Sequence, residues 1–338
     1  MTTPIDPAAV GAVLRMVTAP WISQAIHCAA KLGVADRLAD GPRSTDDLAR
    51  ATGAHAPSLG RLLRALASVG VFASDPAGWR LTPLGTALRD VPGSARGFTV
   101  MFGDPFHWMP LGYMLASVQT GAPAFDRVFG EPFFDYLTKH PADAAVFDEA
   151  MTSISSNEVR ALLDAYDFSS CRHVVDVAGG RGHVLAAILA RTPQLRGTLV
   201  DLPHAIAGAR AALAGSPVVD RISFVEGDFF SAIPAGGDAY FLKHIVHDWD
   251  DERAITILKN IRKVIPQDGR LLVAEGIVPP GDAPAFAKVL DLEMLLVTAQ
   301  GRERTHDEYR AVFASAGFEL SRVVPTAAEI AMIEGRPA

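Results

Sequence analysis

The sequence is poor in cysteine and in long apolar runs. Cys28 and Cys171 are its only cysteines and have no CxxC partner or histidine cluster nearby, so neither a disulfide framework nor a structural zinc site is expected. The stretch from Met16 to Ala30 lacks charged side chains but is interrupted by proline and polar residues, so no bilayer-spanning segment or secretory leader is predicted. These features together indicate a protein of the reducing cytoplasm.

Excess positive charge is also absent. The net charge of −7 argues against a nucleic-acid binder, although residues 1–100 hold ten basic and seven acidic residues and are therefore at +3, which leaves −10 for the remainder. Of the 338 residues, 49% are hydrophobic and 20% are charged, which is typical of a globular chain. The length favours two domains over one.

Residues 1–100 show the pattern of a winged helix. Ser44 or Thr45 can cap one short helix, and the leucines at 59, 62, 63 and 66 form one stripe of another. A strand pair follows around the turn at Asp75–Gly78. The leucines and the apolar helix around Trp21 leave surface that a monomer would expose, so this segment is predicted to form a homodimer. A winged-helix transcription regulator is the alternative, although its recognition helix would offer only two arginines.

Residues 101–165 are predicted to be a mainly helical segment rich in large apolar groups. Two interpretations stay open for its aromatic side chains: they pack in a core and at dimer contacts, or some of them line a flat aromatic pocket. The segment is interpreted as a linker that contributes to a substrate pocket.

Residues 166–338 alternate strands with helices. Candidate parallel strands are 173–177, 198–202, 223–226, 239–244 and 270–275. The last pair, 318–324 and 329–334, has too short a connection for a crossover helix and should be an antiparallel hairpin. The predicted fold class is therefore α/β, with a doubly wound Rossmann-like sheet that ends in this hairpin.

A glycine-rich turn, Ala178–Gly182, follows the first of these strands. Glycines there let a ligand approach the backbone, and the next helix offers free N–H groups at its start. A dinucleotide fingerprint would need a glycine at Leu185, and no GK[ST] tripeptide supports a P-loop. Asp201 ends the second strand, where it can bind ribose, and Asp228 ends the third, where it can bind adenine. A nucleoside ligand is favoured over a purely structural turn.

His247 follows the fourth strand within an acidic stretch. Asp248 or Asp250 can cap the helix that comes next, so a metal site built from these aspartates is not expected. Glu275 ends the fifth strand and Glu303 lies further along the chain. Because the ends of parallel strands converge on one crevice, His247 is interpreted as a general base of ordinary pKa, about 6.5, held between acids.

These motifs resemble the metal-independent small-molecule O-methyltransferase family, which includes plant caffeate and flavonoid enzymes and bacterial antibiotic-tailoring enzymes. The resemblance covers the whole chain, and the motifs occur in the family's order. They are the winged-helix start, VDVAGGRG, VDLP, GDFF, LKHIVHDWDD and GRERT. Ala178 departs from the pattern, since many members have glycine there.

The resemblance implies S-adenosylmethionine as the methyl donor, with S-adenosylhomocysteine as its product. It implies that His247 is the base and that Glu275 and Glu303 bracket it. The cofactor-binding positions it implies are Asp176, Gly180, Asp201, Asp228, Phe229, Lys243 and Ser155. The substrate-binding positions it implies are Trp108, Phe125, Met151, Asp248, Asp291 and Met294.

The predicted function is methylation of a hydroxyl on a small phenolic, phenazine or polyketide-type molecule, in the secondary metabolism that yields antibiotics. Two alternatives stay open: the transcription regulator, and a relative that keeps the cofactor but decarboxylates or hydroxylates its substrate. The predicted domains are 1–100 for dimerisation, 101–165 for the helical linker and 166–338 for cofactor binding. The sequence does not specify the acceptor.

Overall fold

The computed structural model describes residues 5–338 and contains two compact units. The first unit runs to Trp108 and also contains His140–Ile154, while the second contains Met109–Lys139 and Ser155–Ala338. The predicted linker 101–165 is therefore shared between the units. Residues 101–108 and 140–154 belong to the first unit, and residues 109–139 and 155–165 belong to the second.

The first unit is mainly helical, with one small hairpin. Its elements are α1 (Pro7–Lys31), α2 (Val34–Arg37), α3 (Thr45–Thr52), α4 (Ala56–Ser68), β1 (Phe72–Asp75), β2 (Gly78–Leu81), α5 (Pro83–Thr86), α6 (Arg96–Gly103) and α7 (Pro105–Trp108).

The predicted local signals of this unit are confirmed. Ser44 caps α3, because its side chain accepts a hydrogen bond from the backbone of Asp47 at 3.1 Å. Strands β1 and β2 pair antiparallel as the predicted hairpin. Leu59, Leu63 and Leu66 of α4 are buried in the core of the unit.

Helix α1 contains the uncharged stretch from Met16 to Ala30. Among the residues described, it is long and apolar enough to cross a bilayer, with a mean hydropathy of 1.2, by length and composition only. The helix continues through Thr18, whose hydroxyl donates to Leu14 O at 2.9 Å, and through Pro20. Its exposed apolar side chains are Val10, Val13, Leu14, Met16, Val17 and Trp21.

The second unit surrounds a large sheet. Its helices are α8 (Met114–Thr120), α9 (Ala124–Phe129), α10 (Phe133–Lys139), the end of α11 (Pro141–Ala165), α12 (His183–Arg191), α13 (Pro203–Ala212), α14 (Asp251–Arg262), α15 (Phe286–Val297) and α16 (His306–Ser315). Its strands are β3 (His173–Val177), β4 (Arg196–Asp201), β5 (Ile222–Glu226), β6 (Ala239–Lys243), β7 (Arg270–Glu275), β8 (Ile277–Val278), β9 (Arg304–Thr305), β10 (Phe318–Pro325) and β11 (Ala331–Pro337).

Seven strands form the sheet in the order β10-β11-β7-β6-β3-β4-β5. Strands β3 to β7 are parallel, and the antiparallel hairpin β10–β11 completes the edge beside β7. The doubly wound fold and its terminal hairpin are confirmed. One hydrophobic cluster covers each face of the sheet, which is why its central strands are almost continuously apolar.

Candidate active site

The turn after β3 creates an open glycine-rich cradle. Gly182 caps α12 in the left-handed region, and Gly180 has a φ of 58° with no heavy atom within 4 Å of the position that a Cβ would take. A Cβ on Gly179 would instead lie 2.3 Å from Asp176 Oδ2. Ala178 is also left-handed, at φ 58°, a conformation that costs a non-glycine residue about 1 kcal/mol.

Asp176 lies beneath this cradle, and 2% of it is exposed. Its Oδ2 is buried and makes no hydrogen bond within residues 5–338. Burial, together with the charge of Asp201, raises the pKa of Asp176 to about 7, while Lys243 opposes the shift. A buried carboxylate oxygen without a hydrogen-bond partner suits a ligand that carries positive charge.

Asp201 is the last residue of β4, and Asp228 follows the end of β5 at Glu226 by two residues. Asp201 Oδ2 accepts from Gly180 N at 2.8 Å, and its Oδ1 accepts from Leu202 N at 2.7 Å. Asp228 accepts from Phe230 N at 2.8 Å and so holds its own loop. These backbone hydrogen bonds fix the orientation of both carboxylates.

Phe229 is held in place through its backbone. The side-chain amide of Asn260 on α14 donates to the carbonyls of Phe229 and Phe230, both at 2.9 Å. The two phenylalanine rings lie 4.8 Å apart and both contact Trp249. An aromatic surface therefore stands next to Asp228 in sequence.

Lys243 and Ser155 are brought together, although 88 residues separate them. Lys243 Nζ donates to Ser155 Oγ at 3.0 Å and lies 2.7 Å from Glu158 Oε2. Glu158 is not among the residues predicted from the sequence. Its position one helical turn after Ser155 could have indicated it, because that spacing places both side chains on one face of α11.

His247 lies between two buried glutamates. Its Nδ1 is 2.6 Å from Glu303 Oε1 and 3.3 Å from Glu275 Oε2. Strands β8 and β9 pair directly after these two glutamates and thereby bring them together. Glu275 is fixed because its Oε1 accepts from Ile245 N and Val246 N at 2.9 and 2.8 Å. The predicted His247–Glu275–Glu303 cluster is thus present in the structure.

The carboxylates change the basicity of His247. Burial opposes its charged form, but Glu275, Asp248 and Glu303 outweigh burial and raise the pKa of His247 to about 10. The expected ordinary value near 6.5 is therefore wrong, because the sequence does not reveal how close the three acids lie. Burial in turn raises the pKa of Asp248 to about 7, although His247 lowers it.

Arg304 supports the turn that carries His247, and the sequence analysis overlooked it within the GRERT motif. Its side chain is fully buried and donates to Val246 O and Trp249 O, both at 2.8 Å, while pairing with Asp251. A buried guanidinium that bonds carbonyls on both sides of His247 fixes the turn at two points.

A second imidazole, His244, stacks on His247 with ring centroids 5.1 Å apart and an angle of 25°. His244, His247 and Glu275 each offer one ligand atom within 4.8 Å of the others, a spacing that a metal ion could use. The two nearly parallel rings keep their in-plane lone pairs in separate planes, so they do not converge on one ion. A site without metal stays our prediction.

The predicted substrate residues have different surroundings. Phe125 is fully buried, with its ring centroid 5.1 Å from Phe133 and 5.3 Å from Tyr136. Asp291 accepts from Glu303 N at 2.9 Å, and it lies one helical turn before the buried Met294 on α15. Trp108 and Met151 belong to the first unit. Their contact with an acceptor stays a prediction.

Comparison with known proteins agrees with this architecture. An O-methyltransferase domain profile matches residues 111–319, and an O-methyltransferase dimerisation domain profile matches residues 14–89. A phenazine O-methyltransferase, PhzM, from Lysobacter antibioticus is 44% identical over 327 residues, covering 96% of this chain and 95% of the relative. Aclacinomycin 10-hydroxylase RdmB from Streptomyces purpurascens is 38% identical over 304 residues, covering 88% of this chain and 81% of the relative.

Solved structures are similarly close. The structure of LaPhzM has a TM-score of 0.92 and 43% identity, covering 99% of this chain and 100% of that one. The structure of NcsB1, an O-methyltransferase of neocarzinostatin biosynthesis in complex with S-adenosylmethionine and 2-hydroxy-5-methyl naphthoic acid, has a TM-score of 0.79 and 32% identity. That match covers 94% of this chain and 96% of NcsB1.

Proposed function

Since this chain belongs to the S-adenosylmethionine-dependent O-methyltransferase family, we propose that it methylates a hydroxyl of a small phenolic, phenazine or polyketide-type aromatic molecule, with His247 as general base. The observation that carries the base assignment is the buried His247 bonded through Nδ1 to Glu303, which leaves Nε2 for an acceptor. The match of residues 14–89 to a dimerisation profile disfavours a DNA-binding regulator.

The residues of the cradle fit S-adenosylmethionine. Gly180 leaves open space for the methionine part, and the unpartnered Asp176 carboxylate suits its positive charge. Asp201 would hold the ribose, while Asp228 and Phe229 would hold adenine. Lys243, which donates a hydrogen bond to Ser155, would provide a further contact. When bound, the sulfonium supplies an electrophilic methyl group.

The protein contributes mainly by positioning the methyl donor and the acceptor, and to a smaller extent by proton transfer. Holding donor and acceptor in contact can supply roughly 7–11 kcal/mol of the barrier. His247 Nε2 takes the hydroxyl proton, while Glu303 and Glu275 stabilise the imidazolium that forms. A phenol has a pKa of about 10. The neighbouring carboxylates raise the pKa of His247 to about 10, so its imidazolium form holds the transferred proton more strongly than an ordinary histidine would.

Asp248 is proposed to bind the acceptor. Its Oδ1 lies 3.6 Å from His247 Nε2, on the side that Glu303 leaves free. We infer that the acceptor hydroxyl binds between these two groups. Phe125, Asp291 and Met294, all in the second unit, are proposed as pocket walls. Trp108 and Met151 are proposed as further acceptor contacts because they match substrate-binding positions of the family.

A phenazine is the first acceptor to test, because the PhzM relative combines 44% identity with nearly complete coverage. The experiment is a screen of hydroxyphenazines, hydroxynaphthoic acids and aminohydroxybenzoates, read by mass spectrometry with S-adenosylmethionine present. A methylated product is expected. The RdmB relative makes hydroxylation the second candidate, and a product that gains oxygen but no methyl group would contradict methylation.

The single-turnover rate should rise with pH. Because the pKa of His247 is raised to about 10, its free base is scarce at pH 7, and the rate should increase by up to about tenfold per pH unit until pH approaches 10. Glu303→Gln removes one carboxylate and should move the rise to lower pH. A rate that is flat from pH 7 to 9 would count against His247 as the base.

We expect a homodimer built largely by the first unit. The dimerisation profile overlaps α1, whose exposed face includes Trp21, 75% exposed, and Met16, 71% exposed. Light scattering should give twice the single-chain mass of 35.9 kDa. Trp21→Glu should shift the protein towards monomer with little change in circular dichroism. A wild-type mass near 35.9 kDa at micromolar concentration would refute the dimer.

We also propose that 1–100, 101–165 and 166–338 act as the dimerisation, pocket and cofactor segments. The cytoplasm is the proposed compartment, supported by the free thiols of Cys28 and Cys171.

A further inference from the structure

Three consecutive residues, Arg302, Glu303 and Arg304, bind the turn that carries His247. The backbone N–H of Arg302 donates to His247 O at 2.8 Å, and Glu303 Oε1 lies 2.6 Å from His247 Nδ1. The Arg304 guanidinium donates to backbone carbonyls on both sides of His247, each at 2.8 Å. The segment that supplies a carboxylate to His247 therefore also fixes the backbone around it.

Asp251, the first residue of α14, joins the two arginines of this segment. Its Oδ1 accepts from Nε and Nη2 of Arg304 at 3.0 and 2.9 Å, and its Oδ2 accepts from Nη2 of Arg302 at 2.7 Å. Within residues 5–338, Asp251 is the one acid that forms an ion pair with Arg304. Each arginine therefore has its own oxygen on one carboxylate.

Arg304 lies in the same buried region as the two glutamates that bracket His247. The side chains of Arg304, Glu275 and Glu303 are all fully buried. Burial raises the pKa of the Tyr309 phenol well above its usual range, and both glutamates add to this rise while Arg304 opposes it. A buried cation without a partner is unfavourable, so a freed Arg304 would be drawn to these glutamates.

We propose that Asp251 is a positioning residue for His247, a role that rests on the proposed function of His247 as the base. Because Asp251 pairs with both Arg302 and Arg304, neither guanidinium competes with His247 for Glu303. The same pairing holds Arg304 against the carbonyls that flank His247. Asp251 thus acts on the base through the two arginines.

The groups around His247 give the sign of the expected effect. The titratable groups that face its imidazole are Glu275 from β7, Glu303 from the segment before β9, Asp248 from its own turn, and the stacked ring of His244 after β6. The carboxylates stabilise the protonated imidazole, whereas an uncompensated cation beside them opposes it. Loss of the charge that neutralises the arginines should therefore lower the pKa of His247.

Asp251→Asn tests the proposal in the full-length protein. It keeps the size of the side chain, removes the charge, and replaces one of the two acceptor oxygens with a donor group. The side chain of Asp251 is 46% exposed, so the fold should tolerate the change.

Asp250→Asn is the matched control, because it removes the same charge one residue away. Asp250 caps α14 by accepting from Arg253 N at 2.7 Å and forms no ion pair in the described chain, and asparagine caps helices equally well.

Two measurements are made on each variant. The first is the pH titration of the His247 imidazole by NMR, with its signal assigned by its loss in His247→Ala. The second is the single-turnover rate as a function of pH, with the hydroxyarene that gives most product in the screen.

We expect Asp251→Asn to lower the midpoint of the His247 titration by about one pH unit, and the rise of the single-turnover rate should move to lower pH with it. The maximal rate should fall by about tenfold, because the base is less well placed. Asp250→Asn should change neither quantity.

An unchanged titration midpoint in Asp251→Asn, or an equal shift in Asp250→Asn, would overturn the role of Asp251. Asp251→Ser repeats the test if circular dichroism shows that the asparagine variant is unfolded. A His247→Ala variant with an unchanged single-turnover rate would instead refute the base assignment, and the NMR titration does not depend on that result.

Discussion

Replacing His247 by alanine is expected to lower kcat/KM by about 10²–10⁴-fold, the range for losing a general base while positioning is retained. The affinity for S-adenosylhomocysteine should stay nearly unchanged, because the proposed cofactor contacts lie at the ends of β3, β4 and β5 and at Lys243. Calorimetry measures the affinity, and initial rates with the acceptor from the screen measure kcat/KM.

Two controls separate loss of the base from general damage. Acceptors with acidic hydroxyls are already ionised near neutral pH, so the loss in His247→Ala should shrink for them. Glu303→Gln should be less harmful, because it disturbs the orientation of the imidazole without removing it. If His247→Ala stayed active while His244→Ala abolished methyl transfer, the base would be the wrong histidine.

Replacing Asp201 by alanine is expected to weaken binding of S-adenosylhomocysteine by about 10²–10⁴-fold. The substitution would remove the hydrogen bonds to both ribose hydroxyls, and a hydrogen bond to a charged group contributes about 1.5–3 kcal/mol. The carboxylate also accepts from Gly180 N, so the glycine-rich turn should loosen as well. Calorimetry on the free enzyme gives the change in affinity.

Asp201→Asn is the matched control, because its amide oxygen can still accept from Gly180 N although the charge is gone. Its loss of affinity should lie between those of the wild type and the alanine variant. Unfolding midpoints without ligand show whether either change acts through stability. Binding of NAD in place of S-adenosylhomocysteine would contradict the cofactor assignment.

The linkage between His247 and stability has a definite sign. Its pKa in the folded protein, about 10, lies above the value of 6.5 for an unperturbed histidine. The stabilisation from its protonated form is therefore complete below pH 6.5 and is lost as pH rises towards 10. High pH therefore deprotonates His247 and at the same time lowers the stability of the folded protein.

The strands and the order of the site motifs could be predicted from the sequence, because local signals encode them. Strands β3 and β7 have the predicted bounds, and the others differ by a few residues at their ends. Ends of parallel strands converge on one edge of a sheet, so the proximity of Asp201 and His247 to one crevice could be predicted from position alone, while their roles stay predictions. Helix α14 begins after Asp250, whose side chain caps it as predicted.

Distances that depend on side chains remote in sequence could not be predicted. The pairing of β8 with β9 brings Glu303 within 2.6 Å of His247, and no local pattern specifies that two-residue contact. The raised pKa of His247 follows from this approach, because charge interactions depend on separation and burial.

The sequence by itself determined the fold class and the family and singled out His247 as the proposed base, since these depend on periodicity and on residues adjacent in the chain. Only the tertiary structure decided how basic that histidine is, which turn Arg304 supports, and that Glu158 joins Lys243 to His244. These properties depend on groups brought together from α11, β6, β7 and β9, and packing alone sets such separations.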